Sequence, residues 1–147
     1  IKMEKKSKIR GLCLKTTAGI SYEECKAILD GEISWMLDSN KPVLLELYMK
    51  MKDQGLQPKT IVDYNREAYM YKPGNVRVTI DSEIKTGIFS KDFLNANVPT
   101  IGMYPAGLSI LEVKYDEFLP EIIRDILQTN EHRSTSVSKY ASCRIYG

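Results

Sequence analysis

Several segments of the chain set charged side chains between apolar neighbours at alternate positions. In Leu108-Ser109-Ile110-Leu111-Glu112-Val113-Lys114-Tyr115, an extended backbone sends Glu112 and Lys114 to one face and Leu111, Val113 and Tyr115 to the other. In Val76-Arg77-Val78-Thr79-Ile80 the three apolar residues point one way, and Arg77 and Thr79 point the other. Glu4 and Lys6 repeat the pattern, and Arg66 lies in more polar company between Asn65 and Glu67. Such a pattern is either the wet face of an ordinary sheet, where cross-strand ion pairs contribute little, or the lining of a closed or strongly curved one. A charged lining is costly to desolvate unless it holds a charged ligand and water. Lys and Arg outnumber the carboxylates in these segments, so the guests would be polyanions, and the guanidinium fork suits phosphate. A carboxylate among the cations has a use there: it can hold Mg²⁺ or Mn²⁺, which bridges phosphate oxygens.

Other chemistries find little support. No Ser/His/Asp or Cys/His arrangement appears, and the single histidine, His132, lies in a polar stretch that reads as surface loop. Cys13, Cys25 and Cys143 are too widely spaced for a zinc site and read as small buried side chains in a reduced, cytoplasmic setting. Gly55, Gly74 and Gly87 are isolated turn residues, and no G-x-x-x-x-G-K-[ST] loop occurs. The pI near 8.4 and scattered aromatics do not make a stacking platform for nucleic acid. No run approaches the roughly 20 apolar residues of a membrane helix.

The elements that must position the charges follow from pattern. The 147 residues, 43% hydrophobic with a net charge of +2, suit one domain with one core. The charge is uneven: residues 1–15 hold six basic side chains against Glu4 alone, an excess of five that leaves the rest at −3. Residues 1–16 read as a hairpin about Gly11. Ser21 and Glu24 form a capping box that opens a helix from Tyr22 to Leu29, ending near Asp30-Gly31. Pro42 opens a second helix, whose apolar residues recur at helical spacing until Gly55 stops it. The period then changes to two. Thr60–Met70 and Val76–Ile80 predict a hairpin about Lys72-Pro73-Gly74-Asn75, with a short strand near Glu83-Ile84-Lys85. A strand over Leu108–Tyr115, a helix over 116–128 broken or restarted at Pro120, and a short final helix within Ser134–Tyr146 complete the α+β reading.

The segments Met3-Glu4-Lys5-Lys6-Ser7-Lys8, Tyr64-Asn65-Arg66 with Val76-Arg77-Val78-Thr79-Ile80-Asp81, Ile110-Leu111-Glu112-Val113-Lys114-Tyr115 and Ser138-Lys139-Tyr140 occur in that order. Together they resemble the VTC domain, the polyphosphate polymerase domain of the CYTH-like triphosphate tunnel metalloenzymes, and most closely its bacterial branch. The resemblance implies an antiparallel β-barrel forming a tunnel with helices packed outside. It also implies transfer of the γ-phosphate of ATP to polyphosphate with Mn²⁺ or Mg²⁺. By motif, Lys6, Arg66 and Arg77 match phosphate-gripping positions that would also carry catalysis. Lys15 matches a second tunnel lysine, Lys139 a basic residue near the tunnel's C-terminal side, and Glu112 the metal-binding glutamate. A full domain of this family has further strands, with an Arg-x-Arg pair, before the position of Ile1. The expectation is therefore the C-terminal two-thirds of one tunnel domain, its barrel completed by preceding strands or by a second chain. The same clamp serves a tunnel hydrolase of inorganic or nucleoside triphosphate, and a non-catalytic polyphosphate- or nucleotide-binding module would keep the cations without the metal.

Overall fold

In the computed structural model, which describes residues 1–10, 12–87, 90–128 and 134–146, the N-terminal alternation becomes a hairpin. Strand β1 (Lys2–Ile9) pairs antiparallel with β2 (Leu12–Gly19), Lys6 opposite Lys15, and Arg10 enters the turn with φ 51°. Ser21 and Glu24 form the expected capping box at the start of α1 (Tyr22–Asp30), and Gly31, with φ 87°, ends it. After a 3₁₀ turn at Ser34–Asp38, α2 (Pro42–Gln54) starts on its proline and stops at Gly55, with φ 65°. Lys41 ties the start of α2 to the end of β2 through a 2.6 Å bond from Nζ to the Gly19 carbonyl. The apolar residues buried in this unit, Ile1–Pro58, include Cys25, Ile28, Met36, Val43 and Leu44. Lys5 pairs with Glu46 of α2 at 2.6 Å, so α2 packs on the Lys5 side of the hairpin. Lys6 and Lys15 occupy the other side.

The second unit, Lys59–Gly147, is built on a long central strand. Strand β3 (Ile61–Tyr71) pairs antiparallel along one edge of β4 (Val76–Gly87). The other edge of β4 carries two strands end to end: β5 (Thr100–Gly102) opposite residues 85–87 and β6 (Ile110–Lys114) opposite 77–81. The short strand expected near Glu83 is therefore a continuation of the 76–80 strand. A bulge interrupts the pair: Asn65 faces Ser82 but Asp63 faces Lys85, and the extra residue includes Glu83 with φ 50°.

Three elements are shorter than their sequence pattern suggests. The strand expected over Leu108–Tyr115 is hydrogen-bonded only over Ile110–Lys114. The helix expected from Asp116 begins at Glu121, because Pro120 is its N-cap and holds an extended ψ of 141°; α3 is Glu121–Leu127. The last helix, α4 (Lys139–Cys143), starts where Ser138 Oγ accepts from the Ala141 N–H at 3.2 Å. It packs on β3 and β4. The chain is thus a mixed α+β structure of antiparallel sheets with, among the described residues, four α-helices. The pairings of those residues make a two-stranded and a four-stranded sheet; a closed barrel is not among them. Among the described residues no helix is long and apolar enough to cross a membrane.

The β3–β4 turn is tight. Gly74 has φ 71°, and a Cβ there would lie 2.6 Å from the Phe118 carbonyl oxygen and 3.1 Å from Pro120 Cδ. Gly107, with φ 85°, has nothing within 4 Å of its would-be Cβ. Urea unfolding should show G107A costing roughly 1–2 kcal/mol, for the left-handed backbone alone, and G74A costing clearly more because a carbonyl must also move. Equal costs would mean the turn does not press on the Phe118–Pro120 segment.

Candidate functional site

Register assembles the charges of the second unit. Arg66, Asp81 and Ile110 form one cross-strand row; Ala68, Thr79 and Glu112 form the next; Met70, Arg77 and Lys114 form the third. Directly paired residues lie on the same face of a sheet, so Arg66, Asp81, Thr79, Glu112, Arg77 and Lys114 all share one. Successive rows are about 7 Å apart and neighbouring strands about 4.8 Å, so the outer rows lie about 14 Å apart along β4. A chain of several phosphate units spans that distance.

Lys139 joins this face from α4. Asp81 Oδ1 accepts from Arg66 Nε at 2.6 Å, and Oδ2 accepts from Arg66 Nη2 at 2.7 Å and from Lys139 Nζ at 2.6 Å. The Tyr64 ring lies 5.1 Å from both the guanidinium carbon and the ammonium nitrogen, a cation–π contact to each. Asp81 is fully buried. The hydrogen bonds from Arg66, and then Lys139, outweigh that burial and hold its carboxyl down at about 2. Arg66 is pushed above its ordinary value, chiefly by the same bonds, and the field of Glu112 adds to the effect. Helix α4 thus packs on the charged face, because Lys139 anchors it to a carboxylate there.

The other charges are looser. Arg77 is exposed and pairs with no carboxylate among the described residues. Glu112 is partly exposed and receives Lys114 Nζ at 3.2 Å. Its row neighbour Thr79 is 3% exposed, and Thr79 Oγ1 is buried without a partner among the described residues. Among the described residues no group of three or more His, Cys, Asp or Glu could hold a metal ion. Glu112 and an unpaired hydroxyl beside it are nonetheless hard oxygen donors. Oxygen donors of this type are the ones Mg²⁺ and Mn²⁺ take. A concavity of about 410 Å³ against α4, lined by Tyr104 and by Ser136, Ser138 and Ser142 among others, contains none of these charged groups.

The remaining two candidates lie in the first unit. Lys6 and Lys15 face each other across the hairpin, and Glu4 binds both, Oε2 to Lys15 Nζ at 2.6 Å and Oε1 to Lys6 Nζ at 3.6 Å. The bond from Lys15, foremost, holds the pKa of Glu4 below the usual carboxylate value. Lys15 thus sits directly opposite Lys6 on one face of the hairpin. His132 lies outside the described residues.

Sequence reasoning assigned no role to Asp81 or Tyr64. Asp81 continues the parity of Arg77 and Thr79 by one further step, a signal that was available. Its burial was not, because Lys139 reaches it from 58 positions away.

A family model described as VTC domain matches residues 1–145. Comparison with curated proteins and with solved structures finds no match.

The acidity of Asp81 makes stability depend on pH. Its carboxyl ordinarily titrates at 3.8 and in the fold at about 2, so its contribution is complete above about pH 4 and is lost as pH falls toward 2. The loss should be on the order of 2 kcal/mol in urea unfolding at constant ionic strength. D81N should flatten this part of the profile, and an unchanged slope would show that other carboxylates set it.

Proposed function

The chain belongs to the VTC domain family, a polyphosphate-related family of triphosphate-tunnel type, and from that membership we propose a metal-dependent polyphosphate polymerase that transfers the γ-phosphate of ATP to polyphosphate. The observation that carries the reading is the register of β3, β4 and β6, which gathers Arg66, Arg77 and Glu112 on one face with Lys139 beside them. The reading includes a closed antiparallel barrel, with this face turned to its interior.

Phosphoryl transfer requires little covalent help from a protein. It requires the acceptor, the phosphorus and the leaving group in line, and it requires neutralisation of the charge that spreads over the oxygens. Arg77 brings a guanidinium unpaired among the described residues to that task, and Arg66 and Lys139 bring the donors that Asp81 leaves unused. Lys6 and Lys15 supply two further cations of the same phosphate-binding class. Glu112, with the Thr79 hydroxyl, would hold Mg²⁺ or Mn²⁺. Such an ion would supply Lewis-acid stabilisation of the charge on phosphate oxygens. The terminal phosphate of the growing chain is the acceptor, and ADP leaves.

Incubation of the protein with ATP and Mn²⁺, followed by gel separation of the products, should give a ladder of polyphosphate. Free phosphate without a ladder would mean that water is the acceptor. Binding of triphosphate without turnover would mean a binding module. E112Q should lower turnover by on the order of 10²-fold or more while triphosphate binding survives, since the substitution removes a metal ligand and no phosphate contact. Full turnover in E112Q would remove Glu112 from the reaction.

A further inference from the structure

Within the charged face, Asp81 is set apart by its lack of contact with solvent. Its side chain is 1% exposed, against 34% for Arg66 and 22% for Lys139. Its two oxygens grip the Nε–Nη2 edge of the guanidinium and the ammonium of Lys139. A guanidinium carries five N–H donors and an ammonium three. The pairing uses two and one of them, so both cations keep donors on their accessible ends. One carboxylate against two cations also leaves the group with a net positive charge.

We propose that Asp81 is a positioning residue that clamps Arg66 and Lys139 side by side, so that their remaining donors converge on one phosphate group of the substrate. The inference rests on the polyphosphate reading above. A carboxylate that merely stood in for absent phosphate would lie where phosphate arrives, at the accessible ends of the cations. Asp81 lies behind them instead, and the Tyr64 ring fixes both from another side. A phosphate can therefore engage Arg66 and Lys139 without displacing Asp81. The arrangement removes the torsional freedom of two long side chains before substrate binds, which is how placement contributes to rate.

The Arg66 Nε–H is a direct reporter. In nitrogen-15 NMR spectra of the whole protein, it should exchange slowly with water. On titration with inorganic tripolyphosphate and Mg²⁺, that protection should persist at saturation while the Arg77 side-chain signals shift. Loss of protection as the Arg77 signals shift would overturn the inference, because the ligand would then have displaced Asp81. No shift at Arg77 or elsewhere would instead overturn the polyphosphate reading, and the clamp would fall with it. Kinetics give a second readout. D81N keeps the shape but turns one acceptor into a donor facing the cations, so kcat should fall about 10- to 100-fold. KM for the phosphate substrate should not rise, because the site gains positive charge. Unchanged kcat with tighter binding would show that Asp81 only tempers charge, and would overturn positioning. Should D81N fail to fold, the wild-type titration decides the matter alone.

Discussion

A carboxylate without solvent stays ionised only if something replaces its hydration shell. For Asp81 the replacement comes from two sources distant in sequence: Arg66 on the neighbouring strand and Lys139 on a five-residue helix. That requirement organises the second unit. It fixes the guanidinium plane on β3, it gives the short helix α4 an anchor through Lys139, and it holds the aromatic ring of Tyr64 against both cations. A buried ion cluster is a poor source of net stability, because desolvating three charges offsets most of their attraction. Its effect is on geometry: two long, flexible side chains are confined to one arrangement.

The first unit presents the same composition in a wetter setting. Glu4 also stands between two cations, Lys6 and Lys15, but its side chain is 29% exposed and the more distant contact is 3.6 Å. In high dielectric such a cluster is loose and screened by salt. Lys6 and Lys15 are therefore held more loosely than Arg66 and Lys139. In the first unit the hairpin turns Met3, Lys5 and Ser7 inward and leaves Glu4 and Lys6 outward; in the second, the charged face is the one on which α4 packs, with Asp81 and Thr79 buried.

Much of this was legible in the sequence wherever the signal was local. The ends of α1 and α2 follow from Ser21, Glu24, Gly31, Pro42 and Gly55, residues that act within one turn of their own position. The shared face of Arg66, Arg77 and Glu112 follows from alternation once the strands are paired. Features that depend on distant partners were not legible. The three residues of β5 carry no periodicity of their own and are a strand only because residues 85–87 offer a free edge. The late start of α3 is set by one proline. The burial of Asp81 needs α4 in place, and a Ser-Lys-Tyr motif does not announce which carboxylate its lysine will find. Closure into a barrel is a property of the ring of strands as a whole, and local pattern does not report it.

The bulge at Glu83 bears on how the face is written. Simple alternation from Asp81 would put Lys85 on the same side, adding a cation above Arg66. The extra residue slips the phase, so Thr86 takes that side, opposite Val62, and its hydroxyl meets Thr60 at 3.0 Å and the Cys143 carbonyl at 3.4 Å. One strand thus changes character partway along. Below the slip it displays ionic groups; above it, small hydroxyls and apolar atoms seat a helix. The boundary between the stretch that displays ionic groups and the stretch that displays small hydroxyls is drawn by a single extra residue in the backbone.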